Sequence, residues 1–359
     1  MGLLKKWCNR FFIDGLSGMA LGLFSTLIIG TIIEQIGNLI GGEAGSLIVS
    51  VANVAKVLTG AGIGCGVAYK FKETPLVVIS AMAAGMIGAY AKQILQSGVM
   101  LSVEGSSYFS FSGPGEPLGA FLAAYVGIEI GHLIAGRTGL DIILVPLCTI
   151  TSGAVTGLLL GPPIVAFMDM LGSMVMWATE QQPFIMGIVV SVLMGMFLTL
   201  PISSAAIGIS LKLSGIAAGA AVVGCCANMI GFAVASFKEN KVQGLISQGI
   251  GTSMLQVPNI VKKPIIWLPA ILTSAILGPI STCVFKMVNN PSGSGMGTSG
   301  LVGQIMAFQS MTESGVSVGY TLFQIVLMHF VLPAVLAFGI STAMRKLNLI
   351  KDGDMKLQL

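Results

Sequence analysis

The sequence predicts an all-α polytopic membrane protein with about ten transmembrane helices and two re-entrant hairpins. Three observations carry this. Of 359 residues, 54% are hydrophobic and 9% charged, against roughly 25% charged in an ordinary soluble domain. Uncharged runs of spanning length recur along the chain, each near the ~20 residues that cross ~30 Å of hydrocarbon. Two further uncharged stretches are too rich in Gly, Pro and Ser for ordinary helix, and irregular backbone survives at membrane depth only inside protein or beside a water-filled cavity.

The first apolar run, Gly15 to Ile33, follows Lys5, Lys6 and Arg10. Its length and the spans behind it predict a retained helix over 15–36 rather than a cleaved leader. Further helices are predicted over 45–69, 74–95, 117–135, 141–161, 164–180, 184–200, 216–237, 264–286 and 318–344, all within one transmembrane domain, 1–359. Gln96 to Glu116 has no Lys or Arg and contains Ser-Gly-Pro-Gly at 112–115, which reads as an external loop. Residues 238–263 read as a cytoplasmic amphipathic segment, because Val242, Leu245, Ile246 and Ile250 recur at helical spacing before a turn at Pro258.

Orientation follows from the basic residues. With the amino terminus inside, fourteen of the 18 Lys and Arg residues are cytoplasmic, from Lys5 to Lys356; Lys92, Lys212 and Lys286 fall outside and Lys56 is embedded. That asymmetry is the one the positive-inside rule describes, and it places both termini in the cytoplasm.

The two irregular stretches are Leu200 to Ala206, with Pro201, Ser203 and Ser204, and Asn289 to Gln304, with Asn290, Ser292, Thr298, Ser299 and Gln304. Pro201 lacks a backbone donor. By the charge pattern both stretches enter from the outer face, so they are expected to meet across one cavity, with their hydroxyls and amides as solute contacts.

Ionisable groups in or beside the spans are few: Lys56, Glu129, His132, Asp169, Glu313 and His329. Such groups are costly in hydrocarbon and tend to face cavities or partners. Glu129 and His132 stand three apart on one helix face, where they can hydrogen-bond. Glu313 is the only acid between Met287 and Met344, which makes it the candidate to handle a proton or a solute hydroxyl. The six cysteines lie mostly inside apolar runs and lack metal spacing, so no metal or other cofactor is expected.

Three runs are distinctive: Met194-Gly-Met-Phe-Leu-Thr-Leu-Pro-Ile-Ser-Ser-Ala-Ala206, Gly251-Thr-Ser-Met-Leu-Gln-Val-Pro-Asn259 and Gly295-Met-Gly-Thr-Ser-Gly-Leu-Val-Gly-Gln304. They resemble the stand-alone membrane proteins related to the IIC subunit of sugar phosphotransferase systems, a group often labelled toxin regulators. The resemblance runs from Asp14-Gly-Leu-Ser-Gly-Met19 to the last span. It implies a bacterial plasma-membrane protein, a homodimer, with a carbohydrate-type site near two re-entrant hairpins. IIC subunits of this kind commonly carry a catalytic Glu and often a His around their first hairpin, where this chain reads Pro201-Ile202-Ser203-Ser204. A Cys-bearing IIB domain does not fit after Met344, so phosphorylation-coupled transport requires a separate IIB protein.

Three activities follow from that resemblance and from the embedded polar residues: a transporter of a small polar solute, a membrane sensor signalling through 238–263, and a phosphotransferase permease. The expected partners are the lipid bilayer and the solute, not nucleic acid.

Overall fold

A helix pairs all of its interior backbone groups within one segment, which is why apolar spanning runs adopt it. The computed structural model describes residues 7, 9–96, 100–103, 106–111, 113–202 and 204–357. Among them six helices are long and apolar enough to cross a membrane: Arg10–Ile40, Pro117–Ile134, Asp141–Thr179, Gly215–Ala235, Pro264–Phe285 and Val318–Lys346. Gly42–Val57 and Thr59–Lys70, bent by 49°, make a seventh if they form one span, and Pro75–Ala89 and Pro183–Thr199 are shorter apolar helices. The protein is an all-α polytopic membrane protein. One small exception sits in the segment expected as a loop, where Met100–Val103 pairs antiparallel with Ser106–Phe109.

A second difference concerns Asp141–Thr179. Two helices were expected, over 141–161 and 164–180, but one 39-residue helix runs through Pro146, Pro162 and Pro163. Each proline withdraws one donor from the ladder, and a membrane helix tolerates such local gaps where neighbours or adjusted turns re-pair the freed groups.

The chain divides into two compact units, Met1–Phe167 and Met168–Leu359. In the first, helices cross at backbone contact: a Cβ on Gly22 would lie 2.2 Å from the Gly62 carbonyl oxygen. Several of its embedded charges are paired. Lys56 Nζ donates to Glu34 at 2.7 Å. Arg10 donates to Glu129 at 2.6 Å and to Glu73 at 2.9 Å, with its guanidinium 4.0 Å above the Phe71 ring. Glu73 also meets His132 Nδ1 at 2.9 Å. Glu129 and His132 thus lie on one face as expected, but each bonds to a partner outside its own helix.

The second unit is built around Gly215–Ala235, whose most apolar window is 89% buried. Pro183–Thr199 and Pro264–Phe285 pack on it, again through glycines: a Cβ on Gly224 would lie 1.9 Å from Ser191 O, so those two backbones touch. After Val318–Lys346 the chain turns and lays 350–357 along the 238–263 segment. That segment is helical over Phe237–Ile246, with a break at Lys241 (φ +52), and over Val257–Lys262. It exposes Val242, Ile246 and Ile250 and buries Gln248, Gln256 and Asn259.

A buried polar cluster at the broken helices

Helix Pro183–Thr199 stops where Leu200 turns extended (ψ 162) ahead of Pro201, and helix resumes over Ser204–Ser210. The Gly-rich stretch opens with a four-residue helix, Pro291–Ser294, capped by Asn290, whose side-chain oxygen accepts from Gly293 N at 3.0 Å, and continues through a 3-10 turn, Ser299–Leu301, into the helix that starts at Val302. The two stretches meet: Ser204 Oγ donates to the Gly295 carbonyl at 2.7 Å, both residues buried. Both are held against Gly215–Ala235 and its neighbours.

Between the short helix and Val302–Glu313 the backbone turns through Gly297 (φ +54), Gly300 (φ +53) and Leu301 (φ +60). A Cβ on Gly297 would also come within 2.9 Å of the Cys225 backbone, so conformation and close approach both call for glycine. Leu301 is a branched residue held left-handed, a strained conformation that clusters at functional sites.

Thr298 is buried and donates to the Gly249 carbonyl. The Ser299 hydroxyl is buried with no partner among the described residues. Gln304 Nε2 lies 3.3 Å from Cys226 Sγ and 3.1 Å from His329 Nδ1, while Gln304 Oε1 and His329 Nε2 are buried and unpartnered among the described residues. With Nδ1 accepting from the amide, the ring proton sits on Nε2. His329 is wholly buried, in a widened turn, Leu327–Val331, inside the last span; turns of this kind recur at functional sites.

An unpaired buried polar group costs roughly 1–3 kcal/mol. Asn228, close by on Gly215–Ala235, shows the opposite condition. Its oxygen accepts from Trp267 Nε1 at 2.8 Å and Thr199 Oγ1 at 3.1 Å, and its amide donates to Gly224 O at 3.2 Å and Ser274 Oγ at 3.1 Å. Asn228 is saturated and structural, whereas Ser299, Gln304 and His329 are left open.

The remaining predicted contacts are placed differently. Ser203 lies outside the described residues. Ser292 is exposed. Glu313 is exposed at the end of its helix, its carboxylate accepting from Gln309 Nε2 at 2.9 Å. The sequence flagged His329 as ionisable without placing it in the site; its pairing with Gln304 spans 25 residues and leaves no local pattern. No group of three metal-ligating side chains occurs among the described residues.

The family model described as "Phosphotransferase system, EIIC" matches residues 13–357, both units included. No curated protein matches the chain.

Proposed function

Because the chain belongs to the phosphotransferase system EIIC family of membrane sugar-transport permeases, whose members typically pair with a separate IIB component, we propose that it carries a small neutral solute of the carbohydrate class. The observation that carries this is the set of open polar atoms, Ser299 Oγ, Gln304 Oε1 and His329 Nε2, buried beside strained backbone. They offer both donors and acceptors. The interval Met287 to Thr312 is free of ionisable residues, which suits a neutral polyol better than an ion.

In this reading the stretches at 200–206 and 289–304 are re-entrant hairpins, with Ser204 and Thr298 holding their backbones and Asn290 capping. Flux does not require phosphorylation, since no Glu or His stands in the first stretch. A bacterial plasma-membrane homodimer with both termini cytoplasmic completes the reading; the basic-residue asymmetry supports the placement of the termini. Family membership favours a second reading, phosphoryl-coupled uptake with a separate IIB protein.

Empty proteoliposomes given a panel of radiolabelled neutral sugars from outside test both. Uptake of one class without phosphoenolpyruvate is expected, with Gln304→Ala weakening binding by up to about tenfold, the worth of a hydrogen bond. Glu313→Gln is expected to leave binding unchanged. Uptake only with phosphoenolpyruvate and a IIB protein establishes the second reading, and binding without flux establishes a sensor.

A further inference from the structure

We propose that a cleft at the end of the last apolar span binds the phosphate headgroup of an anionic phospholipid. Val318–Lys346 is that span, and beyond it the chain turns back through Asn348 (φ +58). The turn closes a cavity of about 430 Å³ lined by four cations, Lys238, Arg345, Lys346 and Lys351, and one acid, Asp352. Asp352 is already shared, accepting from Lys238 Nζ at 2.6 Å and from Arg345 at 3.2 Å. Glu239 holds the other face of Arg345 at 2.8 Å. Lys346 and Lys351 are exposed, and neither ammonium makes a hydrogen bond or ion pair among the described residues.

The cleft is preformed. Ile350 in its lining is 2% exposed. The backbone that follows is fixed by Glu239 accepting from Gly353 N at 3.3 Å and Asn240 accepting from Leu357 N at 2.9 Å. The Lys346 ammonium, and that of Lys351, whose charge acts on Asp354 from a distance without an ion pair, stand beside two pinned cations and give excess positive charge where a span meets the headgroups. Lysines bind phosphate there as point charges. Leu347, Leu349 and Phe338 are exposed next to the cleft or on the same helix. An acyl chain can cover them and a free phosphate ion cannot, which favours the lipid. This inference does not rest on the solute reading.

The test uses the full chain in nanodiscs of phosphatidylcholine with and without phosphatidylglycerol, with lipid retention after delipidation read by native mass spectrometry. Wild type is expected to retain phosphatidylglycerol in preference to phosphatidylcholine. Removing juxtamembrane charges costs roughly fivefold each, so the Lys346→Gln, Lys351→Gln double variant is expected to bind about 25-fold more weakly. The double Arg variant should keep the lipid, and Gln variants melting like wild type show that the fold is intact. Equal retention by the Gln variant, equal retention of both lipids, or inorganic phosphate shielding the two lysines from acylation as fully as phosphatidylglycerol does would each overturn the proposal.

Discussion

Buried polar side chains in this protein fall into two kinds, and their hydrogen bonds separate them. Asn228 uses both faces of its amide, so it fixes helix positions and leaves nothing for a ligand. Gln304 uses only its nitrogen. Asp354 shows the same logic at the surface of the second unit. Burial pushes its carboxyl up, but the Lys263 hydrogen bond at 2.6 Å, the Lys351 amide and the charges of both lysines outweigh this and hold it below the ordinary range. A depressed carboxyl contributes stability that is present above the unfolded value, about 3.9, and lost as pH falls through the folded one. Hydrogen exchange at Lys356 and Leu357, corrected for intrinsic rates, is therefore expected to accelerate below about pH 4, and Asp354→Asn should show that acceleration at pH 7. Unchanged protection in acid would mean that the Asn240, Gln256 and Asn259 amides hold the tail by themselves.

At the scale of elements, small residues decide which helices touch. Gly224 meets the Ser191 carbonyl and Gly278 the Gly187 carbonyl, where an added Cβ would come within 2.0 Å of backbone oxygen. Backbone cannot yield as a flexible side chain can, so Gly224→Ala must part Pro183–Thr199 from Gly215–Ala235. Overpacking of this kind costs about 1–3 kcal/mol. Gly339, inside the last helix, faces open space, so Gly339→Ala gains helix propensity at no steric cost. Thermal melts in detergent are expected to show Gly224→Ala lowered and Gly339→Ala equal to or above wild type. The same melting point for both would mean that the 183–199 and 215–235 helices are not in backbone contact.

At the scale of the whole molecule, the described residues give six helices of spanning length, or seven with the bent pair, where the sequence predicts ten. By the charge pattern Arg137 and Lys238 are expected on one face, which needs an even number of crossings between them. Three apolar helices separate them, Asp141–Thr179, Pro183–Thr199 and Gly215–Ala235. The 39-residue helix stands where the sequence predicts two. Charge asymmetry governs insertion, so cysteines introduced at Gly139 and Val242 in a cysteine-free background are both expected to resist an impermeant reagent applied from outside. Asn240 is unsuitable for this purpose because its side chain clamps the tail. Reaction at Val242 with protection at Gly139 would give three single crossings and overturn the ten-helix, termini-inside arrangement.

By itself the sequence determined the solvent, the all-helical class and the two places where helix fails, Leu200 to Ala206 and Asn289 to Gln304, because hydropathy and backbone propensity are properties of adjacent residues. Family membership was legible for the same reason, through contiguous runs such as Gly295 to Gln304. Tertiary structure decided the partners. It joined Ser204 to Gly295 and Gln304 to His329, placed Glu313 at an exposed helix end, carried one helix through Pro162 and Pro163, and folded the tail onto Asn240, Gln256 and Asn259. Those outcomes depend on which distant segments approach within hydrogen-bonding range, and that is set by the packing of whole helices rather than by any local pattern of residues.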